Sequence, residues 1–147
     1  MNVSELLGKP VLDLSTATTV GRIDDVVLDV PGRRLHGLRA GKSTGAGEWL
    51  AWDDIKAVGS DAVTIDAVDR AGAIPAELPG CWLRGDKALG GRALSDGGRE
   101  LGSLTDIDLD AESGALQSVV LGDRRLEADS VQGIGTYATV VRDPADR

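Results

Sequence analysis

Residues 20–41, VGRIDDVVLDVPGRRLHGLRAG, lie without a gap over residues 101–122, LGSLTDIDLDAESGALQSVVLG. The register matches Gly21 with Gly102, Asp25 with Asp106, Leu28 with Leu109, Asp29 with Asp110, Leu35 with Leu116 and Gly41 with Gly122. Upstream, LLGKPVL (6–12) faces ALGGRAL (88–94). Downstream, LAWDDIKAVGSDAVTI (50–65) faces LEADSVQGIGTYATVV (126–141), after a longer loop in the first copy. The chain is therefore one unit written twice.

Within the unit, Val26, Leu28 and Val30 in copy one and Ile107, Leu109 and Ala111 in copy two recur at every second residue, the period of a strand with one buried face. Asp25 and Asp29, and Asp106, Asp108 and Asp110, fall between them and read as the wet face. A calcium loop is the alternative for the second row. It requires Gly at its sixth position and Glu at its twelfth, where this sequence has Ala111 and Gln117.

The strand ends in DVPG or DAESG, both good turn chemistry, and a second strand follows at 35–40 and 116–121, completing a hairpin. The apolar spacing slips from two to three at the same places in both copies. The slips fall at Ile23 to Val26 and Leu104 to Ile107, then at Leu35 to Leu38 and Leu116 to Val119. A slip made twice predicts a bulge, the device by which a small sheet curls toward closure. Asp53 and Asp129 are placed to cap single helical turns carrying Ile55 and Val131. Residues 1–70 are then the first repeat and 86–147 the second. Residues 71–85, with Pro75, Pro79 and Gly80, form a linker that docks through Leu78, Cys81, Trp82 and Leu83. Since a ~60-residue domain buries only about 60% of its unfolded surface, the two units are expected as a compact pseudo-twofold pair.

Composition narrows the function. The 147 residues carry a net charge of −8, and both halves are acidic. Without a basic footprint neither direct nucleic-acid binding nor adhesion to anionic membrane is expected. There is no Phe and aromatic content is 3%, so Val, Leu, Ile and Ala build the core. A single cysteine, Cys81, rules out an intramolecular disulfide and reads as an inert, sheltered thiol. The N-terminus lacks signal-peptide character and no apolar run reaches the ~20 residues that span a bilayer, so a cytoplasmic protein without membrane insertion is expected.

The pattern of each copy comprises an opening Leu-Gly-x-x-Val/Ala-Leu, then apolar-Gly-x-apolar-x-Asp-apolar-x-Leu-Asp, a turn, a strand ending in Gly, and an Asp-led turn before a last strand. It resembles the PRC-barrel family, named after the photosynthetic reaction centre H subunit. The resemblance covers nearly the whole chain twice and implies an all-β protein of two tandem small PRC-type barrels with short helical turns. Known settings of the family are the cytoplasmic part of that subunit, the C-terminal domain of a ribosome maturation factor, and archaeal cell-division proteins. Such barrels mostly bind proteins, and the family supplies no catalytic residue to carry over.

The residues themselves offer no active site. The one histidine, His36, stands opposite Gln117, no G-x-S-x-G elbow occurs, and the glycine pairs of ALGGRAL and SDGGREL lack the Lys-Ser/Thr of a phosphate loop. No catalytic, metal or cofactor site is assigned. The binding candidates are Trp49 and Trp52, after the Gly-rich loop GKSTGAGE, where copy two has Arg125 and Ala128. As partner anchors they would use the residue type that concentrates interface energy. As structural residues Trp52 plugs a barrel end and Trp49 packs on the linker. Arg33 and Arg34 join them, because copy one is basic along its hairpin where copy two is acidic, an asymmetry suited to joining the copies or two chains. The expectation is a non-enzymatic adaptor or scaffold that binds a protein of unknown identity or self-associates. The alternative is a factor associated with ribosome or RNA maturation.

Overall fold

The computed structural model describes residues 1–41 and 47–143. Most of the loop GKSTGAGE falls outside the described residues. A short helix α1 (Val3–Leu6) precedes strands β1 (Pro10–Asp13), β2 (Thr18–Asp29), β3 (Arg34–Gly41), β4 (Trp49–Ala51), β5 (Ala57–Val58) and β6 (Val63–Ile65). After β7 (Cys81–Trp82) the series recurs as β8 (Arg92–Ser95), β9 (Glu100–Leu109), β10 (Leu116–Leu121), β11 (Arg124–Glu127), β12 (Val131–Ile134) and β13 (Thr139–Val141). The sheet orders are β4-β3-β2-β1-β6-β5 and β11-β10-β9-β8-β13-β12, so the duplication read from sequence is a duplication of topology. Each sheet curls until the first strand of its repeat pairs in parallel with the last, β1 with β6 and β8 with β13.

The repeated slips are bulges. Between β2 and β3 the pairing runs Ile23↔Ala40 then Asp25↔Arg39, leaving Asp24 extra. Between β9 and β10 it runs Leu121↔Leu104 then Val120↔Asp106, leaving Thr105 extra. The second pair of slips leaves His36 and Gln117 unpaired in the same way. Each extra residue bends the strand, so Ile23, Val26, Leu28, Leu35 and Leu38, and Leu104, Ile107, Leu109 and Val119, turn into one core shared by both copies.

A pseudo-twofold axis joins the copies at the hairpin tips. Leu35 N–H donates to Gly114 O and Leu116 N–H to Arg33 O, both at 2.8 Å. Leu35 and Leu116 are matched positions, as are Arg33 and Gly114, so the two bonds are exchanged by the same rotation. Arg34 and Ala115, also matched, bridge each other on the axis. Both Arg33 (φ 54°) and Gly114 (φ 75°) take the left-handed conformation that lets the tips meet.

The copies also trade opening segments. Cys81 and Trp82, within the span expected as a linker, form a strand antiparallel to Leu28 and Val27 of copy one. In matched places on copy two, Asn2 bridges Asp108, and Met1 exchanges bonds with Leu109 at 2.7 and 3.0 Å. Each unit's leading residues thus lie on the other unit's long strand. Cys81 is buried there, and burial pushes its thiol pKa up, with Asp86 adding to the effect.

This trade corrects the wet-face reading of the aspartates. Asp25 is only 2% exposed and accepts the N–H groups of Arg84 (2.9 Å) and Gly85 (2.8 Å) from the segment leading into copy two. Asp106, its counterpart, accepts Ser4 N–H at 3.1 Å and the Ser4 hydroxyl from the segment leading into copy one. Asp108 is buried at 9% exposure. Only Asp110 and Asp29 act as local turn residues, accepting Glu112 and Ser113 amides (each 2.8 Å) and the Gly32 amide (2.9 Å). Asp53 and Asp129 also differ from expectation. They sit inside 3-10 turns, Trp52–Asp54 and Ala128–Ser130, whose N-cap residues are Ala51 and Glu127, and neither turn has a side-chain cap.

Two carboxyls make the fold acid-sensitive. A hydrogen bond from the Ser15 hydroxyl, with the Ser15, Val68 and Thr16 amides, holds Asp13 below its ordinary pKa against the opposing effect of burial. The Ser113 and Glu112 amides hold Asp110 below it too. A carboxyl whose folded pKa is depressed contributes stability above its unfolded pKa, and that contribution is lost as pH falls through the folded value. The urea midpoint is therefore expected to hold steady above about pH 5 and to decline below about pH 4. Asp13→Asn will flatten that decline, and an unchanged acid limb in this variant would contradict the assignment.

Candidate functional site on the outer face of the first sheet

Val27 and Trp49 are buried (0% and 7% exposed) yet stand apart from the common core. They belong to a second, smaller cluster on the opposite face of β2, β3 and β4. Trp49 lies across Gly37, where a β-carbon would strike its ring, so the glycine is what lets the indole lie flat on the strand. Trp82, brought over Val27 by β7, meets Trp49 edge-on, with ring centroids 5.9 Å apart and planes at 82°. His36, the bulged residue of β3, also packs on Trp49, with ring centroids 5.6 Å apart and planes at 44°.

Charge closes this cluster at its rim. The Arg39 guanidinium stands 5.5 Å over the Trp82 ring while its Nε donates to Asp24 Oδ1 at 2.7 Å. That carboxylate raises the Arg39 pKa further against the effect of burial, so the cation is permanent. Arg84 Nη1 donates to the Asp24 carbonyl at 3.2 Å and ties the leading segment to the same bulge. Trp82, His36 and Arg39 all remain half-buried, which presents aromatic surface and a fixed charge together. Asp24 also belongs to a separate groove of about 430 Å³, lined with it by Pro10, Thr19, Val20, Gly21, Arg22 and Gly41.

Copy two builds the same face from polar parts. Asp108, Ser118, Arg125 and Asn2 occupy the places of Val27, Gly37, Trp49 and Trp82. The Ser118 hydroxyl donates to Asp108 Oδ2 at 2.8 Å, Arg125 Nη1 donates to Ser118 Oγ at 3.0 Å, and Arg125 also pairs with Asp108. Arg125 thus partners both Asp108 and Ser118, while its own side chain stays 57% exposed. Asp106, Asp108 and Asp110 serve three different partners and do not converge on a common point.

The sequence candidates fall in different places. Trp49 packs against Trp82 and bridges Gly72, as its structural reading anticipates. Trp52, 8% exposed, lies between the copies against Gly114, where an added β-carbon would be 2.8 Å from its Nε1. Both indoles are more than nine-tenths buried, Trp49 in the aromatic cluster and Trp52 in the lining of a groove it shares with Asp53, Ile55, Ala111 and Glu112. Arg33 is also spent inside the molecule: its guanidinium bonds the Ala128 carbonyl and, at 3.2 Å, that of Val131. Arg34 is exposed and pairs loosely with Asp53 of its own copy at 3.4 Å, an ion pair worth little. The basic hairpin of copy one therefore does not meet the acidic row of copy two.

Trp82, His36 and Arg39 were not legible as a group. Trp82 reads as part of the linker, and only the exchange of opening segments carries it onto β2.

The family model of the PRC-barrel domain matches residues 1–71. No curated protein matches the chain. No helix among the described residues is long and apolar enough to cross a membrane.

Proposed function

Residues 1–71 belong to the PRC-barrel family, and on that premise we propose that the chain is a non-enzymatic, cytoplasmic interaction module whose protein partner docks on the aromatic face of copy one. The observation that carries this reading is the contrast between matched faces. Copy two closes its own with Asp108, Ser118 and Arg125, whereas copy one leaves Trp82 and His36 half-exposed under Arg39. Val27 and Trp49 are buried in the aromatic cluster, and the surface it leaves over belongs to Trp82 and His36. Partly exposed Trp beside Arg is the composition that concentrates binding energy at interfaces.

Affinity capture with the intact protein, identification of the retained protein by mass spectrometry and calorimetric titration of the pair test this reading. Trp82→Ala is expected to weaken binding by about 30-fold, the effect of removing a hot-spot residue worth 2 kcal/mol. The β7–β2 backbone pairing survives the change, so thermal melting serves as the control for folding. Undiminished binding by Trp82→Ala would remove this face from the interaction.

A further inference from the structure

We propose that the protein forms a twofold dimer by pairing the open edge of β11 with β11 of a second copy. The two sheets end differently. In copy one the outer edge of β4 is filled: Trp49 N–H donates to Gly72 O and Gly72 N–H to Trp49 O, both at 2.9 Å, with Ala71 fully buried beside them. In copy two, Arg125 stands opposite Val120 as Trp49 stands opposite Arg39. In this register Arg125 turns its N–H and C=O away from β10, as Trp49 turns its own away from β3, and Glu127, two residues on, turns its N–H outward while its C=O opens the Ala128–Ser130 turn. Among the described residues no strand or bridge lies on that side of β11. Arg124, Arg125 and Glu127 are exposed and Leu126 is half-buried.

The edge carries its own complement. Two β11 strands laid antiparallel about Leu126 set Arg125 opposite Glu127 of the partner subunit, and Glu127 opposite Arg125 of the partner subunit. In each pair the outward N–H of Glu127 meets the outward C=O of Arg125, so the two pairs close one ladder hydrogen bond apiece. Opposite charges directly across a ladder add to its stability, whereas a register that sets Arg125 against itself pairs like charges and is disfavoured. The Leu126 side chains meet on the other face. The two six-stranded sheets then run as one, and an exposed edge that would otherwise invite indiscriminate pairing is covered. The contact is smaller than the ~1,200 Å² of stable complexes, so the dimer forms at high protein concentration.

Sedimentation velocity over a concentration series, with amide exchange read at Glu127, tests the proposal. The sedimentation coefficient is expected to rise with concentration while that amide gains protection. Glu127 has φ −63°, the value proline imposes, so Glu127→Pro removes the outward N–H without disturbing the monomer. Glu127→Arg instead sets like charges across the ladder. Each variant is expected to weaken self-association by about tenfold or more with unchanged melting. A protein that stays monomeric at millimolar concentration overturns the proposal and leaves the edge to a strand of some other protein. So does a dimer equally tight in Glu127→Pro. Neither result bears on the Trp82 face, whose test uses a different variant and a different partner.

Discussion

Gly114→Val will destabilise the whole protein by about 3 kcal/mol, measured as a lowered urea midpoint by tryptophan fluorescence. The left-handed φ of 75° costs a side-chain-bearing residue about 1–2 kcal/mol, and more for a β-branched one. Overpacking adds about 1–3 kcal/mol, because the new β-carbon lies 2.8 Å from Trp52 Nε1 and 2.9 Å from Cε2. Relief by backbone movement is not free, since Gly114 O holds the Leu35 amide across the pseudo-twofold axis. Trp52→Ala alone also destabilises, by about 3–5 kcal/mol, through loss of a buried indole. The double variant decides the cause: with the clash removed, its loss must be smaller than the sum of the two. Strict additivity would show that Gly114 and Trp52 are not in conflict. Because the axis joins both copies to a single core, the variants are expected to unfold in one step.

Asp25→Ala is expected to cost about 3–4 kcal/mol. Its carboxylate accepts Arg84, Gly85 and Val26 amides within 2.9 Å at a site only 2% exposed. Bonds to a charged acceptor contribute about 1.5–3 kcal/mol each, and unpaired buried amides add their desolvation penalty. Asp25→Asn keeps one acceptor oxygen and is expected to lose about half as much. The matched Asp106→Ala will cost only about 1 kcal/mol, because Asp106 is half-exposed and water replaces it at Ser4. Equal losses at Asp25 and Asp106 in denaturant unfolding would show that burial does not set the strength of these clasps.

The same pair of aspartates marks where the sequence is a good guide and where it is not. Spacing revealed the repeat, the hairpins and the four bulges within them, because a slipped apolar period has to be accommodated by an extra residue in the strand; it gave no sign of the further bulges where β1 meets β2, β8 meets β9 and β12 meets β13. It misplaced Asp25 and Asp108 on a wet face. Alternation tells which side of a strand meets the core, but not what lies on the other side. There the opening segments of the opposite copies lie, Met1–Ser4 and Cys81–Arg84, and their seats are made largely of backbone bonds. Backbone bonds leave no residue-type signature, and the two segments share no residues at matched places. Trp82, and with it the candidate face, was hidden for that reason. Trp49 and Trp52 stood out by type, yet the space each fills was set by Gly37 and Gly114, whose missing side chains carry the information.

The crossed seating of Met1–Ser4 on Asp106–Leu109 also sets when the molecule can form during synthesis. These residues lie more than a hundred positions apart in the chain, with separations of 102 at Ser4–Asp106 and 108 at Met1–Leu109. A nascent polypeptide carrying all of copy one still has its first turn unhoused and its central apolar wall open. Completion awaits the emergence of β9, so the fold closes late, and until then apolar surface that the finished molecule buries stays open to aggregation.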